Sequence, residues 1–558
     1  MFFLRFTRIP TGIRSCLLQN RKQNSAAQIA PASEKELINH VADDVEYPEI
    51  LDLSYPARHI RNYEKIGEFI KRQKTVEEKA IAINMPRYYG FTVVKMFEHI
   101  VHYNSLEQTQ FLTRTHIMPT NGLPSFYNDL ISTEELDKIV GNIRSQIEDV
   151  LVLEYAKRNI KKELPADVVS DQEELQKIQT KAIIRQINRI LFIELSRKYP
   201  HLLETEVDID PRLEAFWTVG GMDPPKSIVY KKRKSRLLKD YAEDPIDRYF
   251  QYFGEPCLQL RHALPLREMI PHSETENPDY IVPEYKYDPL TVGYQQGIRH
   301  GTNIPGFWPG DKNEFGLLSY HHCNYMTNRP RDYDDEEIAL KTQAIRACYA
   351  WLHTQANYQG FSTYNDVTYP LLTQNVILNG QWWFFSVYQL NTTLFSNHHI
   401  DDNPKRNLYW TTGPMQLFEK IEDNKVHGLN DEVLKNLIKM YINEPQQRDV
   451  EMKPYLGLDE KVVADIQDDE KRKWLEELYK KIMSCRGRYL TMPEIFHWQE
   501  IYMRKFKQRP MEKKLQPWQN RINILLRKMD DHPPRYLPKA LRPHPRSKAK
   551  FQKTFYPQ

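Results

Sequence analysis

Apolar residues recur at helical intervals through much of the first 230 positions. Leu136, Ile139, Val140, Ile143, Ile147, Val150 and Leu151 keep the i, i+3, i+4 spacing of one buried face. Ser132-Thr-Glu-Glu135 opens this stripe as a capping box. The serine hydroxyl can take the Glu135 amide, and the glutamate can reach back to the serine amide. Leu175, Ile178, Ile187, Ile190, Leu191 and Leu195 form a second stripe, separated from the first by a break at Pro165. The pattern predicts two packed helices whose stripes are core. From about 255 to 334 the periodicity dissolves into prolines, tyrosines and glycines, which predicts a long irregular segment that is functional or ordered on a partner. A helix is expected next, in DDEEIALKTQAIRACYAWLHTQANYQG. Acids occupy its first turn, Ile338, Ile345, Cys348, Tyr349, Leu352 and Ala356 share one face, and Gly360 ends it. Asn379-Gly380 between two strand-like runs predicts a hairpin. The arm Trp382-Trp383-Phe384-Phe385 is apolar on both faces, as in a central strand covered on each side. A short strand (Leu417 to Ile421) and a helix capped by Asn430, with Val433, Leu434, Leu437, Ile438 and Tyr441 inward, complete this unit. Beyond Pro445 helical periodicity returns at about 459–484 and 493–507, before a basic, proline-punctuated tail.

The fold class expected is α+β, with a helical N-terminal part, a mixed α/β core holding an antiparallel hairpin, and a helical and basic C-terminal extension. The divisions are 1–33, 34–229 (mainly helical), 230–334 (irregular, basic and aromatic), 335–448 (α+β core) and 449–558 (extension). At 558 residues the chain has length for about three domains. Glycine, at 20 residues, is about half its usual share of ~7%, which disfavours glycine-rich phosphate cradles. Five cysteines do not make a disulfide framework. No apolar run approaches the ~18 residues of a membrane span.

Charge changes the picture once it is divided along the chain. The total of +4 hides five bases and no acid in residues 1–33, and 16 bases against 3 acids in residues 504–558. The body between them holds 57 bases and 71 acids. The first segment places Phe2, Phe6, Ile9, Ile13 and Leu17 on one helical face with Arg5, Arg8 and Arg14 elsewhere, the composition of a mitochondrial transit peptide. An ordinary basic tail is the competing reading. Those arginines interrupt every apolar stretch that a secretory signal would need.

Catalytic signatures are scarce. There is no GxGxxG, GxSxG, HExxH or CxxC. Gly221-Met-Asp-Pro-Pro-Lys226-Ser227 ends like a phosphate-binding loop, but Pro225 stands where that loop needs glycine and offers no amide. His321-His322-Cys323, with His300 nearby, could nominate a metal-dependent enzyme, against loop polarity or core packing. His398, His399, Asp401 and Asp402 read as a solvated loop. No cofactor or catalytic residue is assigned.

The electrostatic candidates are more specific. Lys231, Lys232, Arg233, Lys234 and Arg236 put five cations in six residues, suited to RNA phosphates, to a solvated face or to nuclear import. In the tail, Arg504, Lys505, Lys507, Arg509, Arg535, Arg542, Arg546, Lys548, Lys550 and Lys553 interleave with Phe506, Trp518, Tyr536, Phe551, Phe555 and Tyr556. Cations neutralise phosphates and rings stack on unpaired bases, so RNA contact is the first reading and a protein-binding tail the second.

The stretch CYAWLHTQANYQGFSTYNDVTYPLLTQNVILNGQWWFFSVYQLNT, followed by DDNPKRNLYW and FEKIEDNKVHGLNDEVLKNLIKMYIN, resembles one family of mitochondrial ribosomal proteins. That family was first counted as small-subunit protein thirty, is now placed in the large subunit as protein sixty-five, and is also called the programmed cell death protein nine family. Trp351, Gly360, Phe361 and Asn391 are among the rarer residues that carry the resemblance, which spans roughly 48–448. It implies a non-catalytic constituent of the large ribosomal subunit, contacting its rRNA and the related large-subunit protein thirty-seven, with no membrane span. Residues 449–558 lie beyond the pattern of that family. A soluble matrix scaffold without RNA is the alternative.

Overall fold

The computed structural model describes residues 52, 54–72, 91–162, 172–299, 301, 303–307, 311–330, 334–362, 365–455, 535–536 and 551–552. The chain divides into two compact units, Met1–Ser54 and Tyr55–Gln558. In the first, the Ser54 amide and hydroxyl both donate to Asp52 at 2.8 Å. The expected import segment lies outside the described residues, as do Pro165 and the helices expected at 459–484 and 493–507.

The second unit is α+β. It begins with α1 (Tyr55–Lys71), β1 (Phe91–Phe97), α2 (Leu106–Thr113), β2 (Thr115–Asn121), and the long helices α3 (Thr133–Lys162) and α4 (Gln172–Leu195). There follow β3 (Glu206–Ile209), β4 (Leu213–Met222), α5 (Lys226–Arg233), β5 (Ile246–Gly254), β6 (Leu258–His262), β7 (Gln295–Arg299) and β8 (Phe315–His322). Then come α6 (Glu336–Tyr358), β9 (Leu371–Leu378), β10 (Trp382–Leu390), β11 (Asn407–Gln416), the small hairpin β12 (Lys420–Glu422) with β13 (Lys425–His427), and α7 (Asp431–Ile442). A two-residue ladder joins β14 (Arg535–Tyr536) to β15 (Phe551–Gln552).

A seven-stranded mixed sheet, in the order β2-β11-β10-β9-β8-β6-β3, forms the centre. Alternation along β10 shows how the sequence builds the layers. Trp383, Phe385 and Val387 enter a core shared with Ile143, Ile147 and Leu151 of α3, Ile183, Ile187 and Leu191 of α4, and Leu437 and Ile438 of α7. Phe384, Tyr388 and Leu390 enter a second core shared with α6 and with the four-stranded sheet β4-β5-β1-β7. The layers are therefore helices, large sheet, α6, small sheet. The arm from Trp382 is a central strand, as its double apolar face predicts.

The hairpin also forms where expected. Asn379 closes it against Trp382, with Gly380-Gln381 at the tip and Gly380 at φ +101°. Asn379 Oδ1 accepts the amides of Gln381 and Trp382 at 3.1 and 2.8 Å, so the asparagine braces the turn from its base. Asn430 caps α7 through the Glu432 amide at 3.0 Å, and all five expected inward residues are buried. Helices α3 and α4 pair antiparallel, tied by Asn142 to Glu194 at 2.7 Å and by Gln179 to the Glu154 carbonyl at 3.1 Å.

Other expectations need correction. The capping box is half made: Ser132 Oγ accepts the Glu135 amide at 3.4 Å, but Glu135 pairs with Lys198 instead of reaching back. Ile178 and Ile338, assigned to buried faces, are 49% and 38% exposed. Residues 34–229 contain β1 to β4 besides helices, and residues 230–334, expected to be irregular, contain β5 to β8. All eight residues of β8 are buried, including Ser319, His321 and His322, so the strand shows neither alternation nor an apolar run. The short strand expected at Leu417 to Ile421 is instead two buried residues, Leu417 and Phe418, leading into β12. Helix α6 is buried around its whole circumference from Ala339 to Tyr358, apart from Lys341, because it lies between two sheets. Several of its polar positions find partners inside: Arg346 donates to Thr109 Oγ1 at 3.0 Å and to Tyr294, and His353 Nε2 meets the Phe216 carbonyl at 3.0 Å.

Candidate nucleic-acid interface

Helix α5 begins after Pro225, whose extended backbone sets the turn, and runs through Lys226-Ser-Ile-Val-Tyr-Lys-Lys-Arg233. Cations in its last turn, Lys231, Lys232 and Arg233, face the negative end of the helix dipole, which favours them there without any ligand. None of the helix's residues is buried. Most helices of this size gain their stability from a packed face. This one is anchored through its ends and through a few polar ties.

Those ties separate the five expected cations. Lys232 Nζ donates to the Tyr241 carbonyl at 2.9 Å, and burial lowers its pKa. Arg233 pairs with Glu243, both largely exposed. Lys234 Nζ lies 4.0 Å from the centre of the Tyr230 ring, a cation–π contact one helical turn apart. Lys231 and Arg236 are exposed and make no hydrogen bond or ion pair among the described residues. The sequence treats the five alike; the fold engages three within the chain and leaves two facing solvent. Of the tail, Arg504, Lys505, Lys507, Arg509, Arg542, Arg546, Lys548, Lys550 and Lys553 lie outside the described residues. Arg535 is described only as the partner of Gln552 in the β14–β15 ladder.

Other arginines that contribute to the basic count are unavailable to a polyanion. Arg261 is fully buried, 2.5 Å from Asp208 and 3.1 Å from Glu206, with its guanidinium over the Phe307 ring. Arg212 meets Glu214 at 2.8 Å with both side chains buried. Arg329 is held by Asp335 at 2.5 Å.

The described histidines of the cluster are held against carboxylates. His321 Nδ1 lies 2.6 Å from Glu98 Oε1, both buried. His322 Nε2 is 3.8 Å from Glu255 Oε2, an ion-pair distance rather than a hydrogen bond. Glu255 also takes Lys177 at 2.8 Å and His99 at 3.0 Å, and its amide donates to Glu98 Oε2 at 2.6 Å. Cys323 sits in the second core, where burial pushes its thiol up to about 12, and burial likewise raises Cys348. Among the described residues no group of three or more His, Cys, Asp and Glu is arranged to hold a metal ion. His300 lies outside them. His398 and His399 sit half-buried in the loop before β11, with Asp401 and Asp402 exposed.

With these placements in hand, one comparison is decisive. The sequence pattern of the family described as Mitochondrial 28S ribosomal protein S30 (PDCD9) matches residues 10–445. The chain belongs to that family. As a PDCD9 family member it is a mitochondrial ribosomal protein, and the family implies a structural rather than enzymatic role. The match takes in both sheets and every helix through α7, including α5, and stops ahead of the expected extension at 449–558. It reaches further toward the N-terminus than the stretch from 48 whose residues carry the resemblance. Among the described residues of this PDCD9 family member no helix is long and apolar enough to cross a membrane.

Proposed function

We propose that the chain is a structural constituent of the mitochondrial large ribosomal subunit in the matrix, supporting translation by binding rRNA and neighbouring ribosomal proteins. Membership of a mitochondrial ribosomal family across residues 10–445 is the observation that carries this reading. The architecture supports it: two buried cores make a rigid block, while α5 stands free of both cores with Lys231 and Arg236 outward. The 16 cations of residues 504–558 supply the larger basic segment. Lys and Arg bind RNA by releasing condensed counterions. If about eight of the tail's cations touch phosphates, affinity falls roughly 10³–10⁵-fold between 50 and 200 mM salt. The related large-subunit protein thirty-seven is the expected protein neighbour.

Sedimentation of the endogenous protein tests the assignment. Subunits are separated on a sucrose gradient and the chain is followed across it. Co-sedimentation with the large subunit is expected. Recovery with the small subunit, which the 28S designation of the family would suit, moves the protein to the other particle. Recovery at the top of the gradient overturns the ribosomal reading in favour of a matrix scaffold.

A further inference from the structure

We propose that α5 and the adjoining segment around Tyr287 form a stacking platform for unpaired RNA bases, with Tyr230 and Tyr287 as the rings and Lys231 and Arg236 as phosphate contacts. The inference rests on the RNA-binding reading above and specifies the kind of RNA. Three observations carry it. Tyr230 is 62% exposed on a helix with no buried residue, although a tyrosine ordinarily buries much of its ring. Lys234 lies over that ring and holds it by a cation–π contact, so the ring is positioned before any ligand arrives. A second exposed ring is fastened beside the start of the helix: the Asp223 amide donates to the Lys286 carbonyl at 2.7 Å, and the next residue, Tyr287, is 65% exposed. Tyr287 is itself steadied by an edge contact with Tyr285, ring centres 5.6 Å apart.

Solvent-facing rings flanked by exposed cations suit a splayed single strand. Every base offers a π-face, and the backbone phosphates then fall to the lysine and arginine. A regular RNA duplex hides its base faces in the stack and would use the cations alone. The platform therefore distinguishes loops, bulges and single-stranded segments from helices.

The test uses the full chain with a short single-stranded RNA carrying 4-thiouridine and, as comparison, a duplex of the same length. Affinity is read by fluorescence anisotropy and contact by photo-cross-linking with the adducts mapped by mass spectrometry. Expected are tighter binding of the single strand and adducts within the peptides bearing Tyr230 and Tyr287. Tyr230→Ala should weaken single-strand binding roughly 5- to 150-fold, the range for one lost base stack. Tyr230→Phe should bind as the native chain does. Because Tyr230 is itself 62% exposed, an unchanged melting temperature of Tyr230→Ala serves as the folding control. Adducts confined to other peptides, or equal affinity for both RNAs with no effect of Tyr230→Ala, overturn the platform and leave RNA binding standing. Failure to bind either RNA overturns the RNA-binding reading itself.

Discussion

Replacing Glu98 by glutamine removes one buried negative charge and keeps the side chain's shape. Glu98 lies just past β1, where its Oε1 meets His321 Nδ1 at 2.6 Å and accepts from Gln343 Nε2 at 3.1 Å, while Oε2 accepts the Glu255 amide at 2.6 Å. It thus links the small sheet, through β1, to β8 in the large one. Burial by itself would raise the carboxyl's pKa. The attraction and hydrogen bond of His321, the Glu255 amide and the attraction of His322 outweigh that and hold it at about 2, against an ordinary 4.5. A lowering of about 2.5 pKa units corresponds to about 3 kcal/mol of stability at neutral pH. The folded carboxyl binds its proton more weakly than the unfolded one. The contribution is therefore complete above about pH 5 and is lost as pH falls toward 2. Glu98→Gln should cost about 3 kcal/mol at pH 7, read as a lower guanidinium midpoint with an unchanged slope. The gap between native chain and variant should narrow on acidification from about pH 5, because the native carboxylate is then protonated. Tryptophan fluorescence reports the transition through the buried Trp217, Trp351 and Trp383. An unchanged midpoint at pH 7, or a gap that stays constant down to pH 3, would refute the reasoning.

Three further outcomes follow from particular contacts. Gly316→Ala would place a Cβ 2.5 Å from the buried Trp351 ring, and such overpacking should cost about 1–3 kcal/mol in denaturant melts and alter the near-UV circular dichroism of the tryptophan. Asn430→Ala removes the cap on the Glu432 amide and should cost about 1 kcal/mol in the same melts, whereas Asn430→Asp should cost little. Lys231→Ala and Arg236→Ala should each lower the salt dependence of single-stranded RNA binding by about 0.7 in log–log slope; Lys232→Met should leave it unchanged, since its ammonium is committed to the Tyr241 carbonyl.

Legibility in the sequence tracked how locally each feature is encoded. The Asn430 cap, the hairpin at Asn379-Gly380 and the α3–α4 pair depend on contacts within a few residues or on an extended stripe, and each forms where the pattern places it. The double apolar face of the Trp382 arm likewise announces a strand covered on both sides, since a period of two leaves no face for water. Strands β6, β7 and β8 gave no comparable signal. They are fixed by partners distant in the chain: β8 pairs with β9 and β6, and β7 with β1 some 200 residues earlier, Thr92 opposite Ile298. At the candidate interface, the cluster of five cations was evident in sequence and Tyr287 fell in the tyrosine-rich segment expected to be functional, but Tyr230 carried no signal, because an aromatic ring in isolation reads as core.

What the sequence determined by itself was the class of fold, the family, and the division of charge between an acidic body and basic ends. These rest on residue identities and short spacings, which survive without coordinates. The tertiary structure decided which charges remain available. Arg261, Arg346 and Arg212 are desolvated against acids or rings, Glu98 and His321 meet inside, and Lys232 and Arg233 are engaged by neighbours. Burying a charge is costly unless a partner meets it, so packing sorts cations into those with an internal partner and those with none. Of the five clustered cations, the second kind are Lys231 in α5 and Arg236 just beyond it, both exposed and without an ion pair among the described residues.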